Sequence, residues 1–312
     1  MNDLKPELKN VTVDFWRHPV FRESNLVADV LRLDKIHPEI SGNKWFKLKY
    51  YLEKAKHTKK QGLISFGGAY SNHLLALAMT ARIEGFSSIG LVRGEEPNKL
   101  SPTLIEAKGC GMELRFLSRR DYDHKKKSID LLTGVANDQD LLNEIPPDYL
   151  LIPEGGVGIE GLRGAEEILG LVPNFKYSHI CLAVGTGITL AGIINSAVPD
   201  QKIIGVSVLK GTRDFEPMDS YWVKNGRLEN IQIVHDCHFG GYAKYTESLI
   251  NFMNRNFAEY GIPTDFVYTG KLFFSVIRMA TMKIFPPGSR ILVLHTGGLQ
   301  GNRSLLPGLL EF

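Results

Sequence analysis

Short apolar runs alternate with stretches of helical periodicity from Gly62 to the end of the chain, and this pattern limits the possible folds most strongly. The first three runs, at Leu63–Phe66, Ile89–Val92 and Met112–Leu117, have the length of buried strands. The alternation resumes after Pro147 and continues to a last run at Arg290–His295. Strands that alternate with helices predict a parallel sheet with helices on both faces, so the expected fold class is α/β.

The charge of the chain argues against several classes of partner. Its 312 residues include 37 Lys and Arg and 34 Asp and Glu, for a net charge of +3. This balance gives no reason to expect nucleic acid or an acidic membrane as a partner. The N-terminal residues lack the apolar core of a signal peptide, and no apolar run reaches the ~18 residues of a membrane helix. We therefore expect a cytoplasmic protein.

The cysteines predict neither a disulfide framework nor a metal site. Cys110, Cys181 and Cys237 are odd in number, far apart and without the spacing of a zinc site. We expect buried thiols in a reducing compartment. A chain of this length can bury several cores without such cross-links, in two domains or one large one.

Three glycine-rich turns follow apolar runs, at Gly67-Gly68, at Gly185-Thr186-Gly187-Ile188-Thr189 and at Thr296-Gly297-Gly298. Ligands of open parallel sheets bind beyond the carboxyl ends of the strands. The second turn is the best candidate phosphate cradle, because a strand precedes it, a helix follows it and two hydroxyls flank it. It lacks the full GxGxxG pattern, so a tight strand-to-helix turn is an equal alternative on this motif alone.

Lys44 lies at the start of a predicted amphipathic helix, within Ser41-Gly42-Asn43-Lys44-Trp45-Phe46-Lys47. The positive end of the helix dipole favours a neutral amine, which a lysine needs for bonding to a carbonyl. The alternative is an ordinary surface lysine.

Ser71-Asn72-His73 begins the helix after the first glycine turn. Ser71 is a candidate N-cap, and the three consecutive amides could hold a carboxylate. The GxSxG motif is absent, which argues against a hydrolase nucleophile. Tyr242 and Tyr268 each lie near glycine outside helical periodicity, and either packing or catalysis fits them.

Five motifs, in this order and spacing, together resemble the pyridoxal-phosphate enzymes of the tryptophan-synthase-β type. They are SGNKWFKL, GGAYSNH, VGTGIT, VYTGK and HTGG. The resemblance is strongest to the 1-aminocyclopropane-1-carboxylate (ACC) deaminase / D-cysteine desulfhydrase family and covers the chain from about Leu31 to its end. It implies the two-domain fold type II, in which open, twisted parallel sheets are flanked by helices. A large cofactor-binding domain, 1–46 and 148–312, would accompany a small α/β domain, 47–147.

The resemblance also implies roles for individual residues in binding pyridoxal 5'-phosphate (PLP). Lys44 matches the lysine that carries the cofactor and takes the α-proton, and Lys47 matches a lysine near the phosphate. Asn72 would lie by the ring oxygen of the cofactor. The substrate carboxylate would bind at Ser71–His73.

The remaining matches concern the phosphate loop and the tyrosines. Gly185–Thr189 matches the family's phosphate loop. Tyr242 and Tyr268 match its two site tyrosines, which would orient Lys44 or protonate the leaving group, with Ser71 positioning the substrate.

Two positions depart from the ACC deaminase pattern. Those deaminases have glutamate after the second tyrosine, against the pyridine nitrogen, and leucine before the late Gly-Gly. This chain has Thr269 and Thr296 there. A carboxylate keeps the pyridine protonated and the ring strongly electron-withdrawing, whereas a hydroxyl does not.

The two threonines are typical of the desulfhydrase branch, and the expected reaction is β-elimination from a small amino acid such as D-cysteine. ACC deaminase is the alternative on the same scaffold. A PLP-binding protein without efficient turnover is the alternative from a different class. The expected assembly is a homodimer.

Overall fold

The computed structural model describes residues 5–131, 134–211, 222–223 and 227–312. Numbered along the chain, the described strands are β1 Thr12–Phe15, β2 Val27–Arg32, β3 Gly62–Gly67, β4 Ser87–Arg93, β5 Met112–Leu117, β6 Ile129–Asp130, β7 Val135–Ala136, β8 Tyr149–Ile152, β9 His179–Val184, β10 Lys202–Ser207, β11 Ile231–Val234 and β12 Arg290–His295. The described α-helices are α1 Pro19–Glu23, α2 Asn43–His57, α3 Asn72–Glu84, α4 Pro102–Gly109, α5 Arg119–Lys127, α6 Gln139–Glu144, α7 Ile159–Glu166, α8 Ile188–Ser196, α9 Glu247–Tyr260 and α10 Thr269–Thr281.

The chain divides into two compact units, each made of two segments. The first unit contains His37–Gly164 with the described N-terminal residues up to Pro6, and the second contains Glu7–Ile36 and Ala165–Phe312. The sequence predicts boundaries at 46/47 and 147/148 instead. The later boundary differs because β8 pairs with β3 and so joins the sheet of the first unit.

The first unit contains a parallel four-stranded sheet in the order β5-β4-β3-β8. All six residues of β3 are buried, which explains why its sequence is a nearly continuous apolar run. Helix α3 is buried without interruption from His73 to Ala81. A helix that is apolar on all sides belongs in a core, and α3 packs against β3 and β4.

The second unit contains a six-stranded sheet in the order β1-β2-β12-β9-β10-β11. Strand β1 is antiparallel to β2, and the other pairs are parallel. The core of this unit includes Trp16, Val293 and Phe273, all fully buried. The predicted α/β class with parallel sheets is therefore confirmed.

The structure also bears on the cysteines and on membrane-spanning helices. Cys110, Cys181 and Cys237 are all buried, as predicted. Within the described ranges, no helix has both the length and the apolar character needed to cross a membrane.

Candidate active site

Lys44 lies in the first turn of α2, two residues after a glycine with positive φ. Gly42 has φ 67°, a conformation that a side chain disfavours, and it precedes the first helical residue, Asn43. Lys44 is half-buried, and its Nζ donates to Asn43 Oδ1 at 2.9 Å. The first turn of α2 therefore holds the amine in a defined place, as the predicted cofactor lysine requires.

Lys47 lies one turn further along α2 and is buried. Burial, together with repulsion from the charge of Lys44, lowers the pKa of its amine well below 10.5. A Cβ at Gly156 would come within 3.1 Å of Lys47 Cβ, so the turn after β8 packs directly on this lysine. Sequence reasoning missed Gly156, whose importance comes from a contact between residues far apart in the chain.

Ser71 is the N-cap of α3, as predicted. Its Oγ accepts a hydrogen bond from the N–H of Leu74 at 3.2 Å. Asn72 is half-buried beside it. Because β3 and β8 are parallel neighbours, the residues that follow them, including Ser71 and Gly156, lie at the same edge of the first sheet.

His73 is a buried, neutral histidine. Burial lowers its pKa to about 3, with further lowering by the charges of Lys44 and Lys47. Its Nε2 lies 2.9 Å from Ser65 Oγ, and its Nδ1 has no hydrogen-bond partner among the described residues. This edge of the first unit thus presents two lysines and an unsatisfied imidazole nitrogen.

In the second unit, β9 ends directly before the predicted phosphate loop. Gly187 has φ 85° and is the N-cap of α8, which begins at Ile188. Thr189 is buried in the first turn, whereas Thr186 is exposed. The first turn of α8 carries no acidic residue, so its amides and the positive end of its dipole suit an anion.

Tyr268 lies against this loop, and Tyr242 lies against Tyr268. A Cβ at Gly185 would come within 3.1 Å of Tyr268 Cε1, so the glycine makes room for the ring. The rings of Tyr242 and Tyr268 meet edge to face, with centroids 6.1 Å apart and planes at 72°. The structure therefore brings together the predicted loop and both predicted tyrosines.

Thr296 follows β12, which is parallel to β9. The residues after these neighbouring strands, Thr296 and Gly185, consequently lie at the same edge of the second sheet. Thr296 is buried, and the preceding His295 Nε2 donates to the carbonyl of Pro263 at 2.6 Å.

Thr269 is fully buried, and its hydroxyl is engaged by Asp265. Thr269 Oγ1 donates to Asp265 Oδ1 at 2.7 Å and accepts from the backbone N–H of Asp265 at 2.8 Å. The other carboxylate oxygen of Asp265 accepts from the N–H of Tyr268 at 2.9 Å. Sequence reasoning missed Asp265, although an acid four residues before a threonine is a signal of local side-chain capping.

These residues fit PLP in chemical terms. Its phosphate needs an anion site, which the start of α8 supplies with backbone donors and the Thr189 hydroxyl. Its aldehyde needs an amine, which Lys44 supplies. The buried amine of Lys47 and the unsatisfied His73 Nδ1 are further groups able to bind an anionic ligand.

The chain is similar to proteins of known name over most of its length. No protein-family model matches the chain. The Arabidopsis thaliana mitochondrial bifunctional D-cysteine desulfhydrase/1-aminocyclopropane-1-carboxylate deaminase is 28% identical over 291 residues, 84% of this chain and 70% of that protein. A 1-aminocyclopropane-1-carboxylate deaminase of Bradyrhizobium sp. is 26% identical over 286 residues, 83% of this chain and 82% of that protein.

A solved structure is similar over a larger share of the chain. The crystal structure of an ACC deaminase homologue matches with a TM-score of 0.76 and 25% identity, covering 94% of this chain and 90% of that one. The chain thus has the α/β fold of the PLP enzymes of fold type II. Over most of its length it is similar to proteins named ACC deaminase and D-cysteine desulfhydrase, which are PLP-dependent, and this confirms the resemblance carried by the five motifs.

Proposed function

We propose that this protein is a PLP-dependent lyase that removes the β-thiol of a small amino acid, with D-cysteine as the lead substrate. One D-cysteine and one water would give pyruvate, ammonia and hydrogen sulfide. The observation that carries the choice of β-elimination is the pair Thr269 and Thr296, neutral residues at the positions where the deaminases have glutamate and leucine.

The predicted site residues would each have a part in cofactor binding. Lys44 of the first unit would carry the cofactor, with Lys47 near its phosphate and Asn72 near its ring oxygen. The loop Gly185–Thr189 of the second unit would hold the phosphate. When bound, the cofactor supplies an electron sink for the bond that breaks at the α-carbon of the amino acid.

The protein's own side chains would move the protons. Lys44 Nζ, held by Asn43, would take the α-proton as the general base. The phenol of Tyr242 or Tyr268 would donate a proton to the departing sulfur. The amides of Ser71–His73 would bind the substrate carboxylate, and Ser71 would position the substrate.

ACC deamination is the second candidate, because the relatives include proteins named for that activity. It would convert ACC and water to 2-oxobutyrate and ammonia. A further candidate, from another class, is a PLP-binding protein that turns over no small amino acid efficiently.

The deciding experiment is a substrate panel on the purified protein. D-cysteine, L-cysteine and ACC are incubated separately, and pyruvate, sulfide and 2-oxobutyrate are measured, with Lys44→Ala as the blank. Pyruvate with equal sulfide from D-cysteine supports the proposal. Faster release of 2-oxobutyrate from ACC would instead identify the protein as an ACC deaminase. If no substrate gives a product, the alternative of a PLP-binding protein without efficient turnover is supported. A cytoplasmic location and a homodimer remain predictions, tested by fractionation and by light scattering.

A further inference from the structure

The segment His238–Ala243, which we term the Tyr242 loop, has an unusual backbone. Phe239, Gly240, Gly241 and Ala243 all have positive φ, at 51°, 96°, 116° and 52°. Left-handed backbone is accessible to glycine but is unfavourable for phenylalanine and alanine. Such a conformation persists only where the surroundings impose it, and outliers of this kind cluster at functional sites.

Two side chains of α10 hold the Tyr242 loop in place. Lys271 Nζ donates to the carbonyl oxygen of Gly241 at 2.8 Å, directly before Tyr242. The rings of Phe239 and Phe274 meet edge to face, with centroids 4.9 Å apart. Lys271 and Phe274 are three residues apart and therefore project from the same face of the helix.

The same helix end fixes the other tyrosine. Tyr268 is the N-cap of α10, and its N–H donates to the buried carboxylate of Asp265. The first turn of α10 thus holds Tyr268 through its backbone and the Tyr242 loop through Lys271. The relative position of the two phenols depends on this one turn.

A lysine in this place is costly. Lys271 is fully buried, and burial lowers the pKa of its amine to about 8, while the charge of Asp265 opposes this shift. An apolar side chain of similar length could fill the space without the cost of burying an amine. What an apolar side chain cannot supply is the donor to Gly241.

We propose that Lys271 is a positioning residue for the reaction, holding the Tyr242 phenol beside that of Tyr268 through the Gly241 carbonyl. This inference rests on the proposed function, in which these phenols deliver the proton to the leaving group. Lys271 would act through Tyr242 alone, without contact with substrate.

A double-mutant cycle tests this relationship. Lys271→Met removes the donor, Tyr242→Phe removes the phenol, and kcat and KM are measured for both and for the combined variant. Because misplacement of a reacting group costs up to about a hundredfold in rate, each single variant should lose about ten- to a hundredfold in kcat with little change in KM. The combined variant should be no slower than Tyr242→Phe. Multiplying effects in the combined variant would overturn the proposal.

Matched variants separate the hydrogen bond from folding. Lys271→Gln keeps a donor without charge and should recover part of the kcat lost in Lys271→Met. Lys202→Met removes an exposed lysine and should leave kcat unchanged. If Lys271→Gln is as slow as Lys271→Met, while both are folded by circular dichroism, the donor has no positioning role.

A second measurement does not depend on activity. Amide hydrogen exchange of the Gly240–Lys244 segment should be faster in Lys271→Met than in the wild type, because the loop loses the contact that holds its backbone. If no amino acid is turned over, the proposed function fails. The exchange rates still test whether the Lys271–Gly241 hydrogen bond holds the Tyr242 loop. Unchanged exchange in this segment overturns the inference.

Discussion

The hydroxyl of Thr269 gives its hydrogen to the carboxylate of Asp265, 2.7 Å away and fully buried. The same carboxylate accepts the N–H of Thr269 at 2.9 Å, so the two residues close a local ring at the start of α10. Burial raises the pKa of the Asp265 carboxyl, and the hydrogen bonds from Thr269 oppose that shift. Thr269, which differs from the deaminase pattern, therefore stabilises the start of α10 in addition to its predicted place near the cofactor.

Thr269→Val should destabilise the protein by about 1–3 kcal/mol, because it leaves a buried carboxyl oxygen without its hydroxyl donor. Thr269→Ser, which keeps the hydroxyl, should lose less. The free energy of unfolding in urea measures both. Equal stability of the valine and serine variants would show that the bond to Asp265 contributes nothing.

Replacing Thr269 and Thr296 by the residues of the deaminase pattern should change the substrate preference. In Thr269→Glu with Thr296→Leu, a carboxylate near the pyridine nitrogen would favour ring opening over expulsion of thiolate. The ratio of 2-oxobutyrate from ACC to pyruvate from D-cysteine should rise. Each single change should do less, since neighbouring substitutions are not additive.

The matched control for this swap is Thr269→Gln with Thr296→Leu, which has the same shape without the charge. The introduced carboxylate would also lie near Asp265, so the charged variant should be less stable than this control, although both lack the Thr269 hydroxyl. A wild-type protein that already opens ACC efficiently contradicts the role given to Thr269.

Borohydride reduction of the yellow holoprotein should fix the cofactor to Lys44. Peptide mapping locates the label, and Lys47 and Lys271 are the internal controls. Lys44→Ala should retain weak cofactor binding through the phosphate loop and lose nearly all turnover, because it lacks both the covalent link and the base. A label on either control lysine would refute the assignment.

Thr186→Ala and Thr189→Ala should each weaken cofactor affinity by about 0.5–1.5 kcal/mol, the usual net contribution of a hydrogen bond. The substrate preference should stay the same. Fluorescence titration of the apoprotein gives the dissociation constants. Thr281→Ala, at the exposed end of α10, is the control. Unchanged affinity in the double variant would mean that the phosphate binds elsewhere.

His73 should make stability depend on pH. Its pKa in the folded protein is about 3, below the ordinary 6.5, so the unfolded chain binds more protons between these values. The stability that His73 contributes is complete above pH about 6.5 and is lost as the pH falls towards about 3. His73→Gln, which does not titrate, should flatten this part of the curve of unfolding free energy against pH. Parallel curves for the two proteins would contradict the prediction.

The turns and caps of the candidate site could be predicted from the sequence because their signals are local. A glycine turn between a strand and a helix is written in consecutive residues, as at Gly185–Thr189, and so is the N-cap at Ser71. The strand and helix pattern gave the class of the fold for the same reason. The roles of Lys44 and the tyrosines came from the order of motifs and remain predictions.

The partners of these residues could be found only in the folded protein. Gly156 packs on Lys47 and Lys271 binds the carbonyl of Gly241, and both contacts join residues far apart in the chain. The place of β8 in the first sheet is similar, since its sequence is an ordinary apolar run and only the pairing with β3 assigns it to that sheet. Sequence determined the elements and the chemical groups, because propensity and capping act within a few residues. Tertiary structure decided which groups are buried, which donor serves which carboxylate and how the Tyr242 loop is held, because burial and hydrogen bonding depend on neighbours that only the fold supplies.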